Sequence, residues 1–219
     1  MPESPFDQHR YQVRHDWGIE GLRRLAPADV VVVVDVLRFS TTVTDAVARG
    51  EAVALDASAH AVSINGAAVA DAAAESGAVV LLGCLRNAAA VARAVLDLQH
   101  ERGARTSIAV IAAGELAGRD PGAPLRFAVE DQLGAGAIID ALGDLGVDHT
   151  APEAAAACES FRGLRGAIRH LLTAGGSGQE LLLRPAQQPG DARDEVLNAA
   201  AVDAASVVPV LRDGAFVAY

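Results

Sequence analysis

Within Val30–Thr44 a run of five valines ends in Asp35, and Arg38, Ser40, Thr41 and Thr42 follow inside seven residues. A carboxylate, a guanidinium and three hydroxyls thus fall where a buried strand gives way to a helix. Open α/β sheets bind their ligands there, outside the carboxyl ends of the strands. Arg38 suits an anion at a helix N-terminus that already favours negative charge, and the three hydroxyls suit an anion cradle. The competing reading is capping, since an Asp and a Ser-Thr-Thr run also satisfy the first N–H groups of a helix. Capping accounts for one or two of these residues, not for the arginine.

Further along the chain each candidate has two readings. Glu130 and Asp131 are either hard oxygen ligands or first-turn acids favoured by the helix macrodipole. Asn65-Gly66 is a ligand-binding turn or simply a turn. Asn87, after LLGCLR, contacts a ligand or caps a helix, and Arg86 beside it reads as a solvated surface residue. Glu115 either projects beyond a strand end or is merely exposed in a loop. The GGSG at Gly175–Gly178 lacks the lysine of a phosphate-binding P-loop and reads as a hinge or C-cap. Cys84 reads as a small buried hydrophobe rather than a nucleophile. His149 and His170 have no paired spacing for a metal.

The elements that must position these residues follow from periodicity and turn chemistry. Strands are expected at Tyr11–Trp17 (an edge), Val30–Val36, Ala52–Asp56, Val79–Leu82, Ser107–Ala112 and Val207–Leu211. Helices are expected at Thr41–Arg49, Gly66–Gly77, Asn87–Arg102, Ala128–Leu142, Glu153–Leu172 and Glu195–Ala204. A Gly/Pro-rich loop spans Gly114–Pro124. Asp213-Gly214 turns the chain so that Ala215–Tyr219 returns antiparallel. This alternation makes an α/β protein whose largely parallel sheet is covered on both faces and made mixed by the final hairpin. The 219 residues fit one domain, with residues 1–28 an extension or edge strand, and 51% apolar residues suffice for its core.

The apolar runs fall far short of the roughly 20 residues that cross a bilayer. The polar N-terminal stretch lacks the apolar core of a secretory signal, so a cytoplasmic location is expected. Two cysteines without metal-site spacing are expected to be reduced. A formal charge of −10 argues against a nucleic-acid surface but allows a small anionic substrate where arginines or a metal reverse the local potential.

VVVVVDVLRFSTTVTDAVARG, LLGCLRNAAAVARAVL, RFAVEDQLGAGAIIDAL, SGQEL and DAASVVPVLRDG, in this order and spacing, resemble the 2-phosphosulfolactate phosphatase (ComB-like) family. The resemblance implies a three-layer α/β/α sandwich with a mixed, mainly parallel sheet. It also implies Mg²⁺-dependent hydrolysis of a small phosphorylated acid to the hydroxy acid and phosphate. Carried onto this chain, it implies Asp35, Arg38 and Glu130 as catalytic residues and Asp35, Glu130 and Asp131 around Mg²⁺. Ser40, Thr41, Thr42, Asn65, Gly66 and Asn87 would bind substrate. Ser63-Ile64-Asn65-Gly66 stands where the family has a Thr-Thr-Asn-Gly-Thr loop. A metal-activated water is the expected nucleophile, with Thr41 or Ser40 the alternative.

The chain departs from the family between Asp56 and Ser63, where a long insertion carrying a Gly-Glu-Arg-type and an Asn-Ser-Pro-type loop is absent. Losing oriented donors can cost orders of magnitude in rate while sparing the fold. The alternative expectation is therefore a catalytically degenerate, anion- or metabolite-binding protein of the same fold. The C-terminal hairpin's exposed edge and the Ala-rich helices suggest a homodimer.

Overall fold

A computed structural model describes residues 4–118, 123–183 and 191–219. The chain runs through β1 (Val13–Trp17), α1 (Gly18–Arg24), β2 (Val30–Val34), α2 (Phe39–Ala48), β3 (Val53–Ala54), α3 (Ala57–Val62), α4 (Gly66–Glu75) and β4 (Val79–Gly83). A 3₁₀ turn at Leu85–Asn87 leads into α5 (Ala88–Arg102), β5 (Ile108–Ala112) and a two-stranded hairpin, β6 (Glu115–Leu116) with β7 (Leu125–Arg126). There follow α6 (Val129–Asp144), α7 (Pro152–Leu164), α8 (Ile168–Ala174), α9 (Gly176–Leu183), α10 (Asp191–Ala199), β8 (Pro209–Arg212) and β9 (Ala215–Ala218).

The main sheet has the order β1-β5-β2-β4-β8-β9-β3. Its β1, β5, β2 and β4 run parallel, and β8, β9 and β3 continue it in antiparallel pairs. Successive side chains of a strand point to opposite faces, and β2 uses both. Val30, Val32 and Val34 enter a core formed with α5, α6, α7 and α8, while Val31 and Val33 enter a second core with α2 and α4. All five are buried, each contributing roughly 1.5–3 kcal/mol. A strand apolar at every position is what two covering layers require. The expected three-layer sandwich is borne out.

Several boundaries differ. Helix α1 was not anticipated; its buried face is built partly of glycine, with Gly18 and Gly21 inside. The expected Glu153–Leu172 helix is divided by a 3₁₀ turn at Arg165–Ala167. The last helix ends at Ala199 rather than Ala204, because Asp203 and Ala205 donate their N–H groups to Leu85 and Arg86 carbonyls and pull the chain onto that turn. Strand β6 opens the Gly114–Pro124 loop and pairs with β7 directly after it; the middle of the loop, 119–122, lies outside the described residues. Asp213 and Gly214 both adopt positive φ, 49° and 77°, as a two-residue hairpin turn demands. Strand β3 pairs with β9 at Phe216 and Ala215. That pairing occupies the edge on which a homodimer was argued. Among the described residues no helix is long and apolar enough to cross a membrane.

Candidate functional site

Helix α2, which follows β2, packs on one face of the sheet, and α6, which follows β5 and its hairpin, packs on the other. Adjacent parallel strands whose connections leave to opposite faces open a crevice at their carboxyl ends. A cavity of about 590 Å³ lies there, lined by Asp35, Leu37, Arg38, Ser63, Asn65, Glu115, Arg126, Glu130, Asp131, Ser177 and Glu180 among others. A larger groove of about 720 Å³ lies between the ends of α5, β4 and the C-terminal hairpin. It brings together none of the residues singled out from the sequence.

Asp35 follows β2 directly and is buried. Its Oδ1 accepts the Phe39 N–H at 3.1 Å and its Oδ2 accepts the Ser63 hydroxyl at 2.8 Å. It therefore caps α2 and also faces the cavity, so both readings of this residue hold together. Gly66 N–H donates to Ser63 Oγ at 2.9 Å, and a methyl at Gly66 would overlap Asp35 Oδ2. The Asn-Gly turn thus allows the start of α4 to close against the carboxylate. Asn65 turns its amide nitrogen to the Gly114 carbonyl at 2.8 Å and Glu115 Oε1 at 3.4 Å, leaving its buried Oδ1 without a partner among the described residues.

Glu130 and Asp131 occupy the first turn of α6, and both are buried. Gly134 lets this helix lie against the end of β2: a methyl there would come within 2.6 Å of Val36 Cγ2. The two acids have different work. Asp131 accepts the N–H of Val36 at 2.7 Å and of Gly114 at 2.9 Å, one on each oxygen. It braces the chain leaving β2 against the chain leaving β5. Ser177 donates to Glu115 Oε2 at 3.4 Å, and its hydroxyl also lies close enough to Glu130 to favour that carboxylate.

Burial raises the Asp35 carboxyl to about 6 against the hydrogen bonds from Ser63 and Phe39, and the Glu115 and Glu130 charges add to the rise. Burial likewise raises Glu130, and it raises Asp131 well above the ordinary range with Asp35 and Glu130 contributing. Desolvated like charges hold one another protonated. Against them stand two arginines. Arg38 pairs with Glu195 of α10 at 3.1 Å while its buried Nε has no partner among the described residues. Arg126, on β7, lies against the first residue of α9.

The hydroxyls do not form a cradle. Ser40 Oγ donates to the Val33 carbonyl and accepts the Asp35 N–H, both at 3.1 Å, and Thr41 Oγ1 donates to the Val36 carbonyl at 2.8 Å. Both knit the β2–α2 turn, as short hydroxyl side chains do when the backbone offers local partners; Thr42 points to solvent. Asn87 is also corrected. It is fully buried, accepts the Cys84 N–H at 2.9 Å and donates to the Leu82 and Val207 carbonyls, tying β4 to the segment before β8. Arg86 is no solvated arginine, since Asp45 and Asn198 hold it.

The GGSG segment divides its roles: Gly175 caps α8 and Gly176 begins α9, which turns Ser177 into the cavity. Both cysteines are free and buried, and burial raises the Cys84 thiol further. It is therefore held as the unreactive thiol. Turnover by Cys84→Ala is expected to stay within about twofold of the native chain, with about 1 kcal/mol lost in stability. Steady-state rates and urea unfolding check both.

Ser177, Glu180 and Arg126 escaped the sequence reading as site residues. Each lies far along the chain from β2, and only the packing of α9 and the β6–β7 hairpin over the crevice brings them in.

As for metal, the charged cavity side chains other than the arginines are all carboxylates, with no Cys or His. Among the described residues no three His, Cys, Asp or Glu side chains are grouped to hold an ion by themselves. Oxygen donors of this number fit a hard divalent cation bound by one or two carboxylates and completed by water and a phosphate. They do not fit an all-protein cage.

The arrangement is that of an α/β protein with an acidic, arginine-flanked crevice at the carboxyl ends of its parallel strands. The family model for 2-phosphosulpholactate phosphatase matches residues 52–214 of the 219, and the chain belongs to that family. No curated protein sequence matches it. The matched segment begins after the Asp35–Thr42 block, yet Asp35 and Arg38 share their cavity with Asn65 and Glu130 from within it.

Proposed function

We propose that this chain hydrolyses a small phosphorylated acid of the phosphosulfolactate kind to the hydroxy acid and phosphate, with Mg²⁺ as cofactor. The observation that carries the reading is the convergence of Asp35, Glu130 and Arg38 on one cavity, from segments that are far apart in sequence. Asp35 and Glu130 would hold the cation: only one Asp35 oxygen is taken by a backbone N–H, the other accepting a Ser63 hydroxyl that can turn away, whereas both oxygens of Asp131 are fixed by backbone N–H groups. When bound, the cation supplies positive charge to the phosphoryl oxygens and polarises water. Arg38 lines the cavity with its side chain about a third exposed and donates to a phosphoryl oxygen, an interaction stronger than a neutral hydrogen bond. Ser177 reaches Glu115 at 3.4 Å and stands beside Glu130 at the cavity wall. The α3 helix occupies the stretch where the family's additional loops are missing, so binding falls to these residues.

Phosphate release from a panel of phosphomonoesters tests this. The expected result is turnover that depends on Mg²⁺, stops with EDTA and falls by about 10²-fold or more in Arg38→Met. Ligand-induced thermal stabilisation without turnover would replace this reading with that of an inert binding protein.

A further inference from the structure

We propose that Arg126 is a specificity-determining residue that binds a second acid group on the substrate, leaving the phosphate to Arg38. This rests on the phosphatase reading of the same cavity. Arg38 sits at the β2–α2 turn with Asp35 and lines the cavity, its side chain partly exposed. Arg126 comes from a different element, β7, and is exposed at the mouth of the same cavity. Its guanidinium Nη2 lies 3.3 Å from the Cβ position of Gly176, the first residue of α9.

The surroundings of Arg126 are acidic: Glu115, Glu130 and Glu180 line the cavity with it. Among the described residues its side chain nevertheless forms no ion pair and no hydrogen bond, although its charge acts on Glu130. The guanidinium fork therefore remains available for a bidentate contact with a planar or tetrahedral acid group, and the first N–H groups of α9 add a favourable field. About 590 Å³ is room for more than a phosphate ion, within the range of small-molecule pockets. A substrate carrying a carboxylate or sulfonate near its phosphate ester satisfies both arginines. A simple alkyl phosphate satisfies one.

Calorimetric titration with two phosphonates that cannot be hydrolysed tests this independently of turnover, with Mg²⁺ present. One is the methylene analogue of phospholactate. The other is isobutylphosphonate, in which a methyl group replaces the carboxylate. In R126Q the first should bind about 10- to 100-fold more weakly, the second within about twofold of the native chain, and R126K should recover part of the loss. Equal weakening of both ligands, no weakening of either, or a native chain that binds neither overturns the assignment. Phosphate release by the native chain is scored separately, so a working phosphatase without this discrimination refutes the role of Arg126 alone.

Discussion

Asp35→Asn is expected to lose about 10²–10³-fold in phosphate release while making the metal-free protein more stable above pH 6. The two effects share a cause. In the folded chain Asp35 keeps its proton up to about pH 6, against an ordinary value of 3.8. A raised carboxyl contributes fully at low pH, and that contribution is lost as pH rises through the folded value. The difference corresponds to about 3 kcal/mol at neutral pH. Asparagine has no charge to desolvate and still accepts the Phe39 N–H, but it loses the acceptor for the Ser63 hydroxyl. The net gain is then about 1–2 kcal/mol, or about 2–8 °C in Tm. Thermal unfolding in EDTA at pH 4 and pH 8 reads it: the variant should be the less stable protein at pH 4, where the lost Ser63 hydrogen bond dominates, and the more stable one at pH 8, with Mg²⁺ stabilising the native chain alone. A less stable variant at pH 8 contradicts the electrostatic account.

Gly136→Val should lower stability by about 3 kcal/mol or more. A Cβ at Gly136 would overlap the Ala157 carbonyl and come within 2.8 Å of Phe161 Cβ, so α6 and α7 cannot keep their separation. The damage reaches the site, because the first turn of α6 carries Glu130 and Asp131, and turnover should fall with stability. Gly143, later in the same helix, has nothing within 4 Å of its Cβ position. Gly143→Ala should therefore gain about 0.5–1 kcal/mol from helix propensity. Urea unfolding of both variants checks the pair, and a Gly136→Val midpoint close to that of the native chain would show that the close helix crossing is not required.

The legible parts of this chain were those where one physical signal dominates. Five consecutive valines announce a strand covered on both sides, and Asp213-Gly214 announces a two-residue turn. Asp35 and Arg38 stood out because a carboxylate and a guanidinium after such a strand have little structural excuse. The hydroxyls misled for a local reason: Ser40 and Thr41 find backbone partners within the turn, which spacing along the sequence does not show. Asn87 misled in the same way, with its partners in β4 and just ahead of β8.

Asp131 shows the limit most clearly. Its type and position suit a metal ligand, yet its oxygens clamp two loops that only the sheet order makes neighbours. Arg126 and Ser177 begin two of the stretches that carry the family resemblance, yet nothing in their spacing marks them as site residues, and β7, which presents Arg126, is only two residues long. What sequence conveys well is strand, helix and turn; what it conveys poorly is which of several polar residues tertiary packing leaves free.

The most direct measurement is a crystal structure grown with Mn²⁺ in place of Mg²⁺ and with phosphate. The account predicts an anomalous peak within coordination distance of Asp35 and Glu130, roughly 2.0–2.3 Å, and a phosphate in contact with Arg38. An ion bound elsewhere, or phosphate held away from both Arg38 and the carboxylates, would contradict it.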